Sequence, residues 1–348
     1  MTALDGITVL DLTRLLPGAV ATQWLADFGA TVIKIEQPGS GDYARHSFIS
    51  GEENPIFALT NRGKKSVELD LKDARGKESF LKLAASADVV IEGFRPDVMD
   101  RLGLGYSVLR ERNPRLIYCA LTGYGPDGKF SALAGHDINY LALSGVLDLM
   151  GPKESPALAG IQIADLAGGS MQAVMGILLA LEARHRTGRG QRVDISMFAG
   201  SAALMPVPLS QFTATGHPPT RGQELLNGGF ACYHIYPAAG GSFVTVGALE
   251  PKFWQNLCRE LGCEDLIPRQ YEADQEPLKL KLAEKFRERS AEEWFERLGS
   301  KDCCVAPVRN LKDAIRDYPA APIPMLSETP GKSAGCAPKL GEHNRELL

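Results

Sequence analysis

The sequence lacks the features that most simply announce a function. It has no CxxC pair, no HExxH and no other metal-ligand spacing, so no metal is implied. The first strand-to-helix turn, TRLLPGAVAT, lacks the GxGxxG glycines that admit a pyrophosphate. That argues against a dinucleotide cofactor, although Glu36 ends the second strand where a ribose would be held. GYGPDGKF at 123–130 has the glycines and Lys129 of a phosphate loop, but Phe130 stands where Ser or Thr should hold magnesium. It reads as a Gly/Pro-rich turn. An excess of one charge is missing too: a net charge of −4 gives no reason to expect nucleic acid or an anionic membrane. The longest apolar run, around AVMGILLAL, is too short to span a bilayer. Asp5, Asp11 and Arg14 interrupt the N-terminal apolar region, so a signal peptide is not expected. The cysteines number seven, an odd count with Cys303 and Cys304 adjacent, which suits reduced thiols and a cytoplasmic location.

What is present is ordinary globular material. The 348 residues, 44% hydrophobic and 23% charged, suffice for two domains with cores of their own. ITVLDL reads as a strand, and Pro17 and Gly18 open a helix that Gly29 closes. ATVIKIEQPG, KSVELDL, ADVVIEGF, RLIYCALTGY and QRVDISM are further strands, with helical runs between several of them. This alternation predicts an α/β fold with a mostly parallel sheet over 1–195. The Pro/Gly/Thr-rich stretch 196–224 reads as a linker, and 225–303 as a smaller α+β domain containing a hairpin with AAGG as its turn. A return linker, 304–324, then leads to 325–348, which is expected to complete the large domain.

Two residues stand out without declaring a role. His136, in GHDINYLALSG, lies in an apolar stretch and taken alone reads as a core histidine. From Leu166 to Arg186 the chain reads as one long helix, apolar nearly all round and so buried. Asp165 stands at its first turn, where a carboxylate ordinarily caps free N–H groups. The same place would also aim a carboxylate at a ligand that Gly168 and Gly169 let approach.

Several motifs occur in a telling order. They are GITVLDLTRLLPGAVATQWLADFGATVIKIEQPGSGD, NRGKKSVELDLK, GFRPDVMDRLGLGY, the Asp165 helix and PKLGEHNREL. Together they resemble the family III CoA-transferases (CaiB/BaiF-like), the class that also contains the α-methylacyl-CoA racemases, over nearly the whole chain. The resemblance implies a Rossmann-like large domain, a small domain and an interlocked homodimer, with each active site between the large domain of one subunit and the small domain of the other. It implies an acyl-CoA substrate and no separate cofactor. Family members that transfer CoA use the aspartate matching Asp165 as a nucleophile. In the racemases a histidine and an aspartate form an acid/base pair and a glutamate hydrogen-bonds the histidine; here these are His136, Asp165 and Glu250.

Inverting a carbon beside a thioester requires a proton to leave from one face and another to arrive on the opposite face. Two groups are therefore needed, and His136 and Asp165 are the pair implied, with Glu250 fixing the imidazole. Backbone N–H groups at the start of the Asp165 helix are candidate donors to the enolate oxygen. For the phosphates of CoA the resemblance points to Lys72, Arg95 and Arg101, with Asp137 and Tyr140 near the pantetheine and thioester. Gln37 stands where some racemases carry Arg. Racemisation of a 2-methylacyl-CoA is the first expectation, CoA transfer between acids the second, and a non-catalytic CoA binder the third.

Overall fold

β-Branched and leucine-rich runs form the six strands β1 (Thr8–Leu12), β2 (Thr31–Glu36), β3 (Lys65–Glu68), β4 (Val89–Glu92), β5 (Ile117–Thr122) and β6 (Arg192–Ser196). In the computed structural model, which describes residues 1–46, 54–319, 321–333 and 335–348, all six pair in parallel in the order β3-β2-β1-β4-β5-β6. β4 and β5 are buried along their whole length, as a sheet covered on both faces demands. Strand order reverses between β1 and β4, and a crevice for ligands opens beyond the carboxyl ends of strands at such a point. This sheet belongs to the first of two units, made of Met1–Val146, Ala159–Met205 and Pro319–Leu348. Leu10, Ile33, Val67, Phe80, Leu109 and Leu116 lie in its core.

The second unit comprises Leu147–Leu158 and Pro206–Tyr318. β7 (Tyr233–Pro237), β8 (Phe243–Gly247) and β9 (Val305–Pro307) form its antiparallel sheet. Trp254 and Trp294 anchor its core, and their indole N–H groups donate to Leu266 O at 3.1 Å and Phe286 O at 2.8 Å. A buried indole needs such a partner, and both tryptophans thereby gain a packing role.

Three sequence expectations give way here. The stretch 196–224 is not a plain linker: it carries helices at Met197–Ala202 and Pro206–Thr215. Its prolines read as breakers, yet Pro206 opens the second helix, where a missing N–H costs nothing. The return stretch 304–324 contributes β9, because Val305 pairs with Val246. The helix expected over 166–186 is π-helical at Ala164–Ser170 and α-helical only at Met171–Thr187. Together, 164–187 is long and apolar enough to cross a membrane by length and composition, unlike the short run considered alone. It is also not buried all round. Ala173, Ile177, Ala180 and Leu181 are buried, whereas Met171, Met175, Leu178 and Leu179 form an exposed apolar stripe. Gly176 sits where an added Cβ would lie 2.6 Å from Val193 Cγ1, so this helix lies close on β6.

Candidate active site

His136 begins the helix Asp137–Ser144 as its extended N-cap residue, with φ −126° and ψ 176°. Its backbone N–H donates to Asn139 Oδ1 at 3.0 Å, so the main chain rather than the ring forms this bond. Below it Tyr140 is buried, its hydroxyl donating to Gly135 O at 2.5 Å and its ring edge-on to Tyr124 at 5.0 Å. Burial, followed by the charge of Asp165, pushes the Tyr140 hydroxyl up to about 12. Tyr140 thus braces the turn that presents His136. The imidazole residue is exposed, and the reading of a core histidine is overturned. An apolar neighbourhood in sequence misled there, because Ile138 and Leu143 are themselves exposed.

Asp137 reaches across to the Asp165 turn, its Oδ1 accepting the Asp165 backbone N–H at 2.9 Å. This contact corrects two expectations. Asp165 is not the cap of its helix; it lies inside the π-helical turn, and the carboxylate that serves this backbone belongs to Asp137. The Asp165 N–H is likewise occupied, and the Leu166 N–H donates to Gln162 O at 3.0 Å, so neither is spare for an enolate oxygen. π-Turns of this kind are frequent at functional sites. Burial first, and the neighbouring Asp137 charge second, push the Asp165 carboxyl up to about 7.

That shift has a stability consequence with a definite sign. Unfolded, Asp165 would titrate near the ordinary value of about 3.9. Folded, it holds its proton up to about 7, so the wild type loses stability as pH rises between those values. Asp165→Asn is expected to stabilise the fold by about 4 kcal/mol above pH 7 and by nothing below pH 4. Urea unfolding at a series of pH values would measure it, and a pH-independent difference would refute the assignment.

The Asp165 turn is held from two more sides. Ser170 Oγ donates to Pro17 O at 2.6 Å and to Asp165 O at 3.1 Å. A Cβ added at Gly200 would lie 2.0 Å from Gly168 O, so Met197–Ala202 presses directly on the π-turn. Gly200→Ala is therefore expected to cost about 1–3 kcal/mol, as overpacking does, and to lower activity by displacing Asp165. Denaturant midpoints and turnover of the same preparation would check both effects.

Glu250 lies in the second unit, exposed, as the N-cap residue of Pro251–Leu261, and its side chain caps none of that helix's N–H groups. Burial raises the thiol of Cys304, and the Glu250 charge adds to the rise.

The residues expected to meet phosphates separate. Lys72 lines a cavity of about 270 Å³ at the carboxyl ends of β1 to β3, together with Arg14, Lys34, Asp42 and Phe94. Arg95 lines a different and much smaller cavity with Glu92 and Arg192. Burial pushes the Glu92 carboxyl up to about 7, against the hydrogen bonds from Phe94 N and Tyr118 Oη. Arg101 is exposed at the end of the short helix Val98–Arg101. Arg14 and Phe94 are cavity residues that sequence pattern missed. The Arg14 guanidinium lies 5.0 Å from the Tyr43 ring centroid and 5.4 Å from that of Phe94. The polar Asp11 within the otherwise apolar β1, and Arg14 just after it, were the available signal.

A family model described as CoA-transferase family III matches residues 4–322. The chain is 39% identical to the alpha-methylacyl-CoA racemase of Homo sapiens, covering 99% of this chain and 92% of that one. It is 35% identical to the acetyl-CoA:oxalate CoA-transferase of Acetobacter aceti, over 94% of this chain and 86% of the other. Among solved structures, a CAIB/BAIF family protein from Brucella suis superposes with a TM-score of 0.86 at 28% identity, with full coverage of both chains (100% each).

Proposed function

The chain belongs to CoA-transferase family III, and on that premise we propose that it is a racemase interconverting (2R)- and (2S)-2-methylacyl-CoA thioesters. One observation carries the reading. Asp137, the residue directly after His136, binds the backbone of Asp165, so two groups suited to proton transfer are presented on touching turns.

In the proposed reaction one group takes the C2 proton, and the electron pair of that bond moves to the thioester oxygen as an enolate. The other group then delivers a proton to the opposite face, and the reverse direction exchanges their roles. A carboxyl at about 7 is present in both forms near neutral pH, which suits a group that must accept in one direction and donate in the other. The Asp165 N–H is occupied, and the Asn139 N–H donates to His136 O at 2.8 Å. The Asp137 and Ile138 N–H groups at the start of Asp137–Ser144 are the better oxyanion donors, since a helix's first N–H groups have no carbonyl within it. In the same reading Glu250 hydrogen-bonds the imidazole and fixes its tautomer. Lys72, with Arg14, meets the phosphates of CoA, as do Arg95 and Arg101. Asp137 and Tyr140 lie near the thioester.

The chain is further proposed to act as an interlocked homodimer in the cytoplasm. The exposed stripe of Met171, Met175, Leu178 and Leu179 is apolar surface that a second copy would cover, and the seven unpaired thiols suit a reducing compartment. CoA transfer through an Asp165 acyl anhydride is the competing reading, favoured by the 35% identity to a transferase.

Incubating one 2-methylacyl-CoA epimer in deuterated water, with no acid acceptor, separates the two. Racemisation incorporates deuterium at C2 and yields both epimers. No exchange, with acceptor-dependent product and a hydroxylamine-trappable Asp165 acyl anhydride or thioester, would overturn the racemase reading. CoA binding with neither activity would leave a non-catalytic binder.

A further inference from the structure

We propose that Lys34 and Asp42 are positioning residues for coenzyme A: the buried ion pair between them holds the turn after β1 so that Arg14 and Phe94 stand together at the cavity beyond β1 to β3. The proposal rests on the reading that this cavity receives part of an acyl-CoA.

Two lysines, Lys34 and Lys64, are buried in the first unit beside Asp11 and Asp42. Lys34 Nζ lies 2.8 Å from Asp42 Oδ2 and 4.0 Å from Asp11 Oδ2, and it donates to Thr13 O at 3.0 Å. Lys64 Nζ lies 3.3 Å from Asp11 and donates to Ala19 O, Thr22 Oγ1 and Asn61 Oδ1. Burial alone would raise Asp11, but Lys34 and Lys64 outweigh it and bring the carboxyl down to about 2. Burial alone would lower Lys34, yet Asp11, Asp42 and Glu36 together hold it above its ordinary range. Each buried charge therefore has a partner. Apolar side chains would hold a core as well, so what the ions position matters more than what they add to stability.

They position Leu15 and Arg14. Asp42 Oδ1 accepts the Leu15 N–H at 3.1 Å and the Ala44 N–H at 2.9 Å, while Oδ2 faces Lys34. Leu15 has φ +60°, a conformation that a leucine keeps only where its surroundings over-determine it. The bond from Asp42 supplies that constraint. On one side of it Arg14 extends over the rings of Tyr43 and Phe94 and donates to Tyr43 Oη at 3.0 Å. On the other side Tyr43 follows Asp42 directly, so one carboxylate sets both halves of the clamp. Asp42 is held in turn: its N–H donates to Glu36 Oε2 at 2.9 Å, and Arg45 forks onto the same carboxylate at 2.8 and 2.7 Å. With Asp42 and Asp11 beside it, the charge of Lys34 is already matched, which leaves Arg14 and Lys72 as the cations offered to phosphate.

Calorimetric titration of the full chain with free CoA tests this apart from any turnover. Asp42→Asn is expected to weaken CoA binding by about 10- to 100-fold and to raise KM for acyl-CoA by a like factor, with kcat nearly unchanged. Adding Leu15→Gly to Asp42→Asn should recover much of the affinity, because glycine takes positive φ without the constraint. A simple structural role would give no such rescue. Unchanged CoA affinity in a folded Asp42→Asn protein would overturn the proposal. If Asp42→Asn does not fold, Tyr43→Ala, at an exposed position, carries the test: wild-type affinity there removes the clamp. Failure of the wild type to bind CoA would instead overturn the underlying reading of the cavity.

Discussion

Asp165→Asn is expected to lower racemisation of a 2-methylacyl-CoA by about 10³-fold, within the usual range for a lost acid/base group. Asparagine keeps the shape of the side chain and can neither take nor release the proton. The loss should be uneven in one informative respect. The epimer whose C2 proton faces His136 can still lose it to the imidazole, so its exchange with deuterated water should survive while inversion stops. The opposite epimer should neither exchange nor invert. In the unmodified enzyme, kcat/KM for the epimer deprotonated by Asp165 should rise with pH through about 7, because the carboxylate is the base. In the reverse direction Asp165 must be protonated, and the same titration should lower the rate. Chiral chromatography with mass detection of deuterium would read all of these. Equal loss of exchange from both epimers would remove the two-base mechanism.

His136→Ala is expected to cost a similar 10²- to 10⁴-fold in racemisation, with the exchange pattern of the two epimers reversed. The protein should fold normally, because the His136 main chain rather than its ring bonds Asn139, and the side chain is exposed. That exposure adds a second expectation: millimolar imidazole should restore part of the lost rate by occupying the vacated position. A CoA-transferase working through an Asp165 anhydride would keep its activity in this variant. Retained racemisation without His136 would exclude it from the proposed pair.

How far these roles are legible in the chain differs from residue to residue. Asp165 is marked by its place before a long apolar run, but the sequence suggests a capping role that the fold gives to Asp137. The two lie 28 positions apart, and no periodicity links them. His136 has apolar neighbours in sequence of which Leu141 is buried but Ile138 and Leu143 are exposed, so hydrophobic context does not say which way the imidazole points. Lys72, Arg95 and Arg101 are implied together by the resemblance; only Lys72 of the three lines the larger cavity. Arg14 and Phe94 were missed because one follows β1 and the other follows β4, strands that become neighbours only through a crossover.

The sequence by itself determined the alternation of strands and helices, hence a parallel sheet, and its motifs determined the family. Those properties are local, because period-2 and period-3.6 patterns and turn residues act over a few positions. The tertiary structure alone decided that Asp137 serves the Asp165 backbone, that a glycine contact beneath it accompanies a π-turn, and that Lys34 is matched by Asp42 and Asp11. Such contacts depend on burial and on hydrogen bonds between distant segments. Their energies exist only once the segments have been brought together and water has been removed from between them.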